Sequence, residues 1–396
     1  MQHEYDLIIV GGGLAGNCLA LALKDTGLKL AIIEANTAEQ LQTSPAGDRA
    51  LALAAGTVKQ LEDLGAWQGI SHAATAIKHI HISDKGHFGK TRLSAEKEQV
   101  DALGYVITAR DMETHAAKRV TETNAIQYCP ARVVGLNSDS DKISVNIQQG
   151  DESLTLTAQL LIGADGGQSS IRQLLNISQQ VTDYGQTALV TTVSSTIANN
   201  NTAFERFTAS GPLALLPIAR KQCAVVWTRT TEDAKALMQT SETEFLAELQ
   251  ACFGYKLGKL SLSASRRSFP LTLIRADKMI AERAVIIGNA VHQLHPVAGQ
   301  GFNLGLRDVV QLADRLVKQY QANKDLGAEN FLKDYATARQ KDHDLVIGFT
   351  NNVVRIFSND WLPLAAARNL GLTLLDHLPK AKSILSRYAM GLEQTD

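Results

Sequence analysis

Three glycine-rich stretches hold the residues of this chain whose types and spacing could do chemistry. In "GGGLAG", Gly11, Gly13 and Gly16 set a GxGxxG spacing directly after the apolar run "YDLIIV", and Glu34 ends the next such run, "LKLAIIE". The first glycine permits a tight turn, the second a close approach of backbone to a pyrophosphate, the third close packing of helix on strand. Leu14 and Ala15 open the helix, whose free N–H groups and partial positive charge suit a phosphate. Glu34 offers a carboxylate to the hydroxyls of an adenosine ribose. Strand, spacing, helix and acid together specify a dinucleotide site, leaving open FAD or NAD.

The second stretch, "LLIGADGGQSSIRQLL", repeats strand, turn and helix start. Asp165 falls at the strand's C-terminal end, near the phosphates of the first site. Taken alone, it reads as an Asp-Gly turn with Ser169 capping a short helix. The third, "VIIGNAVHQLHPVAGQGFNLGLRD" (285–308), runs from a buried strand through His295 and Pro296 into a helix expected from Phe302 to Tyr320. A helix N-terminus there would stabilise negative charge on a reduced flavin ring, and Gly299 and Gly301 would let backbone lie against its flat face. A glycine-rich connection ending in a helix cap is the plain alternative.

The elements that must position these stretches follow from periodicity. Residues 5–34 read as one βαβ unit, and 49–67 as a helix with Leu53, Val58, Leu61 and Leu64 on its apolar stripe. "IKHIHIS" alternates like a strand, Arg110 to Thr123 reads as a second helix, and "KISVNIQQ" and "LTLTAQLLIGAD" as a hairpin closed by "GDES". Residues 184–230 alternate again with turn signals at "NNN" and "SGP", helical spacing returns from Glu242 to Phe253, and the chain is helical by pattern after about Glu329.

A chain of 396 residues exceeds the size of a single core, so coupled subdomains are expected. With 39 basic and 40 acidic residues the net charge of -1 gives no reason to expect nucleic acid. Cys18, Cys129, Cys223 and Cys252 form no CxxC pair and fit a reducing cytoplasm. The N-terminus lacks a signal-peptide pattern, and no apolar run approaches the roughly 20 residues that span a bilayer.

"GGGLAG", "GADGGQSSIR" and "GNAVHQLHPVAGQGFNLGLRD", in this order and separation, resemble the three fingerprints of the single-component FAD-dependent aromatic hydroxylases of the p-hydroxybenzoate hydroxylase fold. "GDRALALAAGTVKQLEDLGAW" and "FERFTASGPLALLPI" add a narrower likeness to the ubiquinone-biosynthesis hydroxylases, above all those acting on 2-polyprenyl-6-methoxyphenols. The resemblance covers nearly the whole chain. It implies an α/β fold: a Rossmann-type FAD-binding domain (1–75, 100–180 and 270–328), an inserted, mostly antiparallel β-sheet substrate domain (76–99 and 181–269) and a C-terminal helical region (329–396).

Carried over residue by residue, the likeness puts Gly11, Gly13 and Gly16 on the FAD pyrophosphate and Glu34 on the adenosine ribose. Arg49 and Arg110 would contact phosphates and ribityl chain, and Asp165 the phosphate or nicotinamide region. Pro296 and Gly299, Gln300, Gly301, Phe302 and Asn303 would line the isoalloxazine. Asn289 stands where much of the superfamily has Asp, trading a charge for an amide that still accepts a hydrogen bond.

The chemistry so implied is transfer of one oxygen from a flavin C4a-hydroperoxide to a prenylated phenol, with O2 as co-substrate and NAD(P)H or a separate reductase as electron source. His295 is the candidate to draw off the phenolic proton. A flavin oxidase or dehydrogenase of an amine or alcohol, and a non-catalytic flavin scaffold in a biosynthetic complex, are the competing readings.

Other motifs carry less. "DKGHFGKT" has Asp84 where a Walker A loop needs glycine and reads as a strand-end turn; His79 and His81 lack a third ligand, so no metal site is expected. In the tail, apolar residues including Ile347, Phe349, Trp361 and Leu385 recur among Arg355, Arg368, Lys380, Lys382 and Arg387. That pattern suits peripheral contact with the inner face of the membrane, or packing on the first domain or on a sister subunit.

Overall fold

Strand His3–Val10, helix Leu14–Ala22 and strand Leu30–Ile33 form the βαβ unit that the opening pattern requires. They belong to a computed structural model that describes residues 3–87, 89–295, 299–357, 369, 376–378, 382–383, 386–387 and 390–391. The two strands pair in parallel, and both carry four-residue runs buried on both faces, as parallel strands between helices demand.

The first sheet places Ala284–Ile286, Glu152–Gly163, His3–Val10, Leu30–Ile33 and Ile126–Tyr128 side by side in parallel. The hairpin closed at "GDES" forms as expected, with Ile143–Gln149 antiparallel to Glu152–Gly163 and to Arg132–Ser138. Helix Leu14–Ala22 packs against helices Ala109–Val120 and Gln300–Gln321. Leu7, Ile9, Leu19, Ile32, Leu160, Val285 and Leu312 meet in this core.

The second sheet is antiparallel except where Thr202–Thr208 runs parallel to His79–Asp84. Its strands Gln179–Ser195, Gln222–Thr230, Gly211–Ala219, Thr202–Thr208, His79–Asp84 and Lys90–Ser94 follow one another in space. Period-two alternation gives it two apolar faces. Leu189, Val193, Leu213, Leu215, Val225 and Trp227 bury against helices Thr231–Gln239 and Glu242–Phe253, while Val190, Ala214, Leu216 and Val226 turn to an internal cavity. "DKGHFGKT" is the connection between antiparallel strands His79–Asp84 and Lys90–Ser94, a strand-end turn as read.

Two elements depart from the sequence pattern. Residues 49–67 begin as strand: Ala50–Ala54 pairs with Gly104–Thr108 in a small antiparallel sheet, and the helix starts only at Ala55. "ALALA" has high helix propensity, but a partner fifty residues away supplies backbone hydrogen bonds and buries Leu53, so tertiary pairing wins. Helix Thr231–Gln239, capped by Thr230 Oγ1 accepting from Asp233 N at 3.1 Å, was not expected.

The helix drawn from Phe302 starts at Gln300, with Gly299 left-handed at its cap, and ends at Gln321. The last described helix is Glu329–Phe357. Pro296 and the tail residues Trp361, Leu364, Arg368, Leu375, Lys380, Ile384 and Leu385 lie outside the described residues. Lys382, expected at the rim of a membrane face, is instead buried with its Nζ 3.0 Å from Asp376 Oδ1. No helix among the described residues is long and apolar enough to cross a membrane.

Candidate cofactor and active site

The glycine turn is shaped by contacts that leave no room for side chains. Gly11 has φ +108°, and a Cβ there would lie 2.4 Å from Ala164 O. A Cβ on Gly16 would lie 2.0 Å from Gly11 O, so the helix approaches the turn as closely as backbone allows. Gly13 is the opposite case: it caps Leu14–Ala22 in extended conformation (φ -77°), and a Cβ would meet nothing within 4 Å. Glu34 binds back to this turn, its carboxylate accepting from Gly12 N at 2.7 Å and from Asn36 N at 2.8 Å.

From here a cavity of about 1740 Å³ runs to the face of the second sheet, larger than the roughly 300–1,000 Å³ of a pocket for one small ligand. Gly11, Gly13, Leu14, Ala15, Glu34, Arg49, Arg110, Asp165, Asn289, Gly299, Gln300, Gly301, Phe302 and Asn303 all line it. Gly16 sits behind the turn. The sequence expectation thus gathers residues from 11 to 303 around one space; Gly16 and His295 do not line it, and Pro296 lies outside the described residues.

Several of these side chains also hold the walls together. Arg110 Nη2 donates to Ser44 O at 3.0 Å and to Asp48, whose other oxygen takes Arg267 at 2.7 Å. Arg49 Nε donates to Ala46 O at 2.9 Å. Asp165 accepts from Ser169 Oγ, Ser170 Oγ and Ile171 N, and Ser169 caps the helix Ser170–Leu174, so the plain reading of that stretch is part of its geometry. Asn303 spends its amide on Gly299 O (2.8 Å), Ala52 O and Ala54 N, pinning the strand Ala50–Ala54 to the helix start.

The site fits a dinucleotide by its own features. Space is open over Gly13, helices Leu14–Ala22 and Gln300–Gln321 both begin at the cavity without a side-chain cap, and Arg110 Nη1 is buried with no hydrogen-bond partner among the described residues. Open amides and a buried guanidinium nitrogen call for an anion. Glu113, on the same wall, has its pKa raised by burial against the opposing pull of Arg49 and Arg110.

His295 is 1% exposed, lies edge-on to Tyr184 at 5.3 Å, and is absent from the cavity wall. Burial lowers its pKa to about 4. The folded ring therefore stays neutral where the unfolded chain takes a proton below the ordinary 6.5, and stability is lost as pH falls through that window. Between pH 7 and 5 this amounts to about 2 kcal/mol. Denaturant titration at both pH values should show that loss in the native protein and a correspondingly smaller one in His295→Gln; equal losses would exclude the residue as a source.

Sequence reasoning missed three residues that the fold makes central. Arg172, 2% exposed, donates to Ala290 O (2.8 Å) and Gly167 O (3.0 Å), clamping the second glycine stretch to the third. Asp308 is fully buried and accepts from Arg339 Nε and His343 Nε2 at 2.7 Å, and from Gly288 N and His292 Nε2 at 3.2 Å. Ligand atoms of His292, Asp308 and His343 lie within 4.8 Å of one another, but the Arg339 guanidinium on the same carboxylate repels a dication. The cluster clamps helix Glu329–Phe357 to the third stretch. Glu205, on the cavity face of the second sheet, is the third.

Comparison with known proteins agrees with this geometry. A family model for an FAD binding domain matches residues 4–349. The chain is 34% identical over 392 residues to ubiquinone hydroxylase UbiL of Rhodospirillum rubrum, covering 98% of this chain and 89% of that protein. It is 27% identical over 389 residues to 3-demethoxyubiquinol 3-hydroxylase of Escherichia coli, covering 98% of each. The solved structure of p-nitrophenol 4-monooxygenase PnpA from Pseudomonas putida shares the fold over 100% of both chains, with a TM-score of 0.80 at 14% identity. The chain belongs to the FAD-binding family of these proteins, among its ubiquinone-biosynthesis hydroxylases, and is an FAD-dependent aromatic hydroxylase.

Proposed function

We propose that this enzyme hydroxylates the ring of a polyprenylated methoxyphenol in ubiquinone biosynthesis, one atom of O2 reaching the ring by the flavin C4a-hydroperoxide route. The observation that carries this reading is the continuity of the cavity from the glycine turn to the aliphatic face made by Val190, Ala214, Leu216 and Val226. A dinucleotide occupies only the first part of such a space, and the apolar remainder suits a prenylated ring. When bound, FAD supplies the redox and oxygen-transfer chemistry. In this reading Gly11, Gly13 and Arg110 hold its phosphates, Glu34 its ribose, and the amides at Gly301 to Asn303 face its ring.

The chain's own contribution is to exclude water and orient the phenol. NAD(P)H is the electron donor in this proposal, with a separate reductase as the variant. The enzyme would work in the cytoplasm at the inner face of the membrane, where such a substrate dissolves, alone or within a multiprotein complex. The domain division expected from sequence belongs to the same proposal, the first sheet holding FAD and the second the phenol.

The test is aerobic incubation of the holoprotein with NADPH, a short-chain 2-prenyl-6-methoxyphenol and 18O2. A product heavier by one labelled oxygen is expected. Hydrogen peroxide with unaltered phenol would mean that the reduced flavin passes its electrons to O2 without oxygen reaching this ring, and would contradict the reading.

A further inference from the structure

Glu205 stands on strand Thr202–Thr208 opposite Ile82 on one side and Ala214 on the other. Ala214 is opposite Val226, and Val226 opposite Val190. The five lie in one row across five strands, all five line the cavity, and Glu205 is the only polar one of the five. The row continues to Thr91 beside Ile82 and to Arg267 beside Val190, the latter paired with Asp48. Ala203 and Phe207, two residues to either side, share the cavity wall. Among the described residues its carboxylate has no hydrogen-bond or ion-pair partner, and burial raises its pKa to about 7.

The charged groups around it face away from the cavity or are paired with other residues. Alternation turns Arg206, Lys90 and Arg92 to the outer face, where they act on Lys256. Asp84, along the neighbouring strand, is bound by Asn369 at 3.0 Å. Arg307, elsewhere on the cavity wall, is paired with Asp342 at 2.9 Å. A carboxylate in an aliphatic wall is costly unless something entering the cavity satisfies it. His295, buried behind Tyr184, is not on that wall.

We propose that Glu205 is the hydrogen-bond and proton acceptor for the ring hydroxyl of the substrate, an inference that rests on the phenol-hydroxylase reading. The phenolic O–H breaks, its proton passes to a carboxylate oxygen of Glu205, and the electron pair stays on the phenol oxygen. The phenolate pushes density into the ring carbon that receives oxygen. Transfer leaves a neutral dienone whose attacked carbon carries both its hydrogen and the new hydroxyl. That C–H proton is lost to the alkoxide left on the oxygen donor, the ring regains its aromaticity, and Glu205 returns its proton to the phenol oxygen, so the residue is unchanged over the cycle. A carboxyl poised near neutral pH is closer in proton affinity to a phenol than an ordinary glutamate is.

The test compares native holoenzyme with Glu205→Gln and Glu205→Asp. FAD content should be equal in all three. With 2-prenyl-6-methoxyphenol and NADPH at pH 7, product formed per NADPH oxidised should fall on the order of 100-fold in Glu205→Gln, with hydrogen peroxide in its place, and recover in part in Glu205→Asp. The deficit should shrink as pH rises toward the phenol's own pKa of about 10.

Binding, read by quenching of flavin fluorescence, keeps the inference separate from the function proposal. Native enzyme should bind the phenol about 10-fold more tightly than its O-methyl ether, and Glu205→Gln should lose that preference. Should the native enzyme transfer no oxygen, a preference lost in Glu205→Gln still assigns the hydroxyl to Glu205 and sinks only the function reading. Unchanged preference together with native product yield in Glu205→Gln would overturn the role.

Discussion

Replacing Gly16 by alanine should strip the protein of FAD. The added Cβ would lie 2.0 Å from Gly11 O and 3.1 Å from Ile9 Cγ2, and the first of these is backbone that no rotamer change can move. Either the helix Leu14–Ala22 retreats from the strand or the turn deforms, and both displace the uncapped amides at the start of that helix from the phosphate position. Overpacking of this kind costs about 1–3 kcal/mol. Lost alignment at the turn adds to it, so FAD affinity should fall at least about 100-fold, near 2.7 kcal/mol.

Gly13→Ala separates the cofactor's space from the fold's integrity. An alanine at φ -77° is unstrained and meets nothing within 4 Å, so the apoprotein should melt within about 1 °C of native. FAD should nevertheless bind at least 10-fold more weakly, because the methyl group enters the space over the turn. Equilibrium dialysis against FAD with parallel thermal melts reads both variants. A Gly13→Ala protein that binds FAD normally would mean that the pyrophosphate does not lie there.

Asp308→Ala should lower stability by about 3–5 kcal/mol, because it leaves the fully buried Arg339 without the carboxylate that neutralises it. It also unties Gly288 N and both histidines in one step. Burial alone would raise the Asp308 pKa, but His343, His292 and Arg339 hold it well below the ordinary carboxylate range. Its contribution is therefore fully present above about pH 4 and is lost only as pH falls through the depressed folded value. Burial likewise lowers the His292 pKa against the pull of Asp308, so acid destabilises the same clamp through the unfolded chain's proton uptake below the ordinary 6.5. Guanidinium unfolding at pH 7 measures the substitution, and a loss under about 1 kcal/mol would show that the clamp is dispensable.

What was legible in the sequence was local. The glycine spacing, the buried runs around it and Glu34 lie within thirty residues of one another, and each constrains its neighbours through backbone geometry alone. The hairpin at "GDES" and the helix Glu242–Phe253, with Ser241 and Glu244 in a capping box, were readable for the same reason. What escaped depends on partners remote in the chain. Ala50–Ala54 becomes a strand only because Gly104–Thr108 lies beside it. Asp308 becomes a hub only when a helix more than twenty residues later brings Arg339 and His343 to it. Glu205 faces the cavity because of a register carried across five strands, which periodicity along one strand cannot reveal. The three glycine stretches could be seen separately, but Arg172, which binds the second to the third, shows its function only in the fold.

The most direct measurement follows the visible absorbance of the purified holoprotein after anaerobic addition of NADPH, with and without a short-chain 2-prenyl-6-methoxyphenol, before oxygen is admitted. A bound FAD that bleaches faster with the phenol present, and on reoxidation leaves the phenol one oxygen heavier, is the predicted result. A protein that holds no FAD, or one whose flavin is reduced and reoxidised while the phenol emerges unaltered, would contradict it.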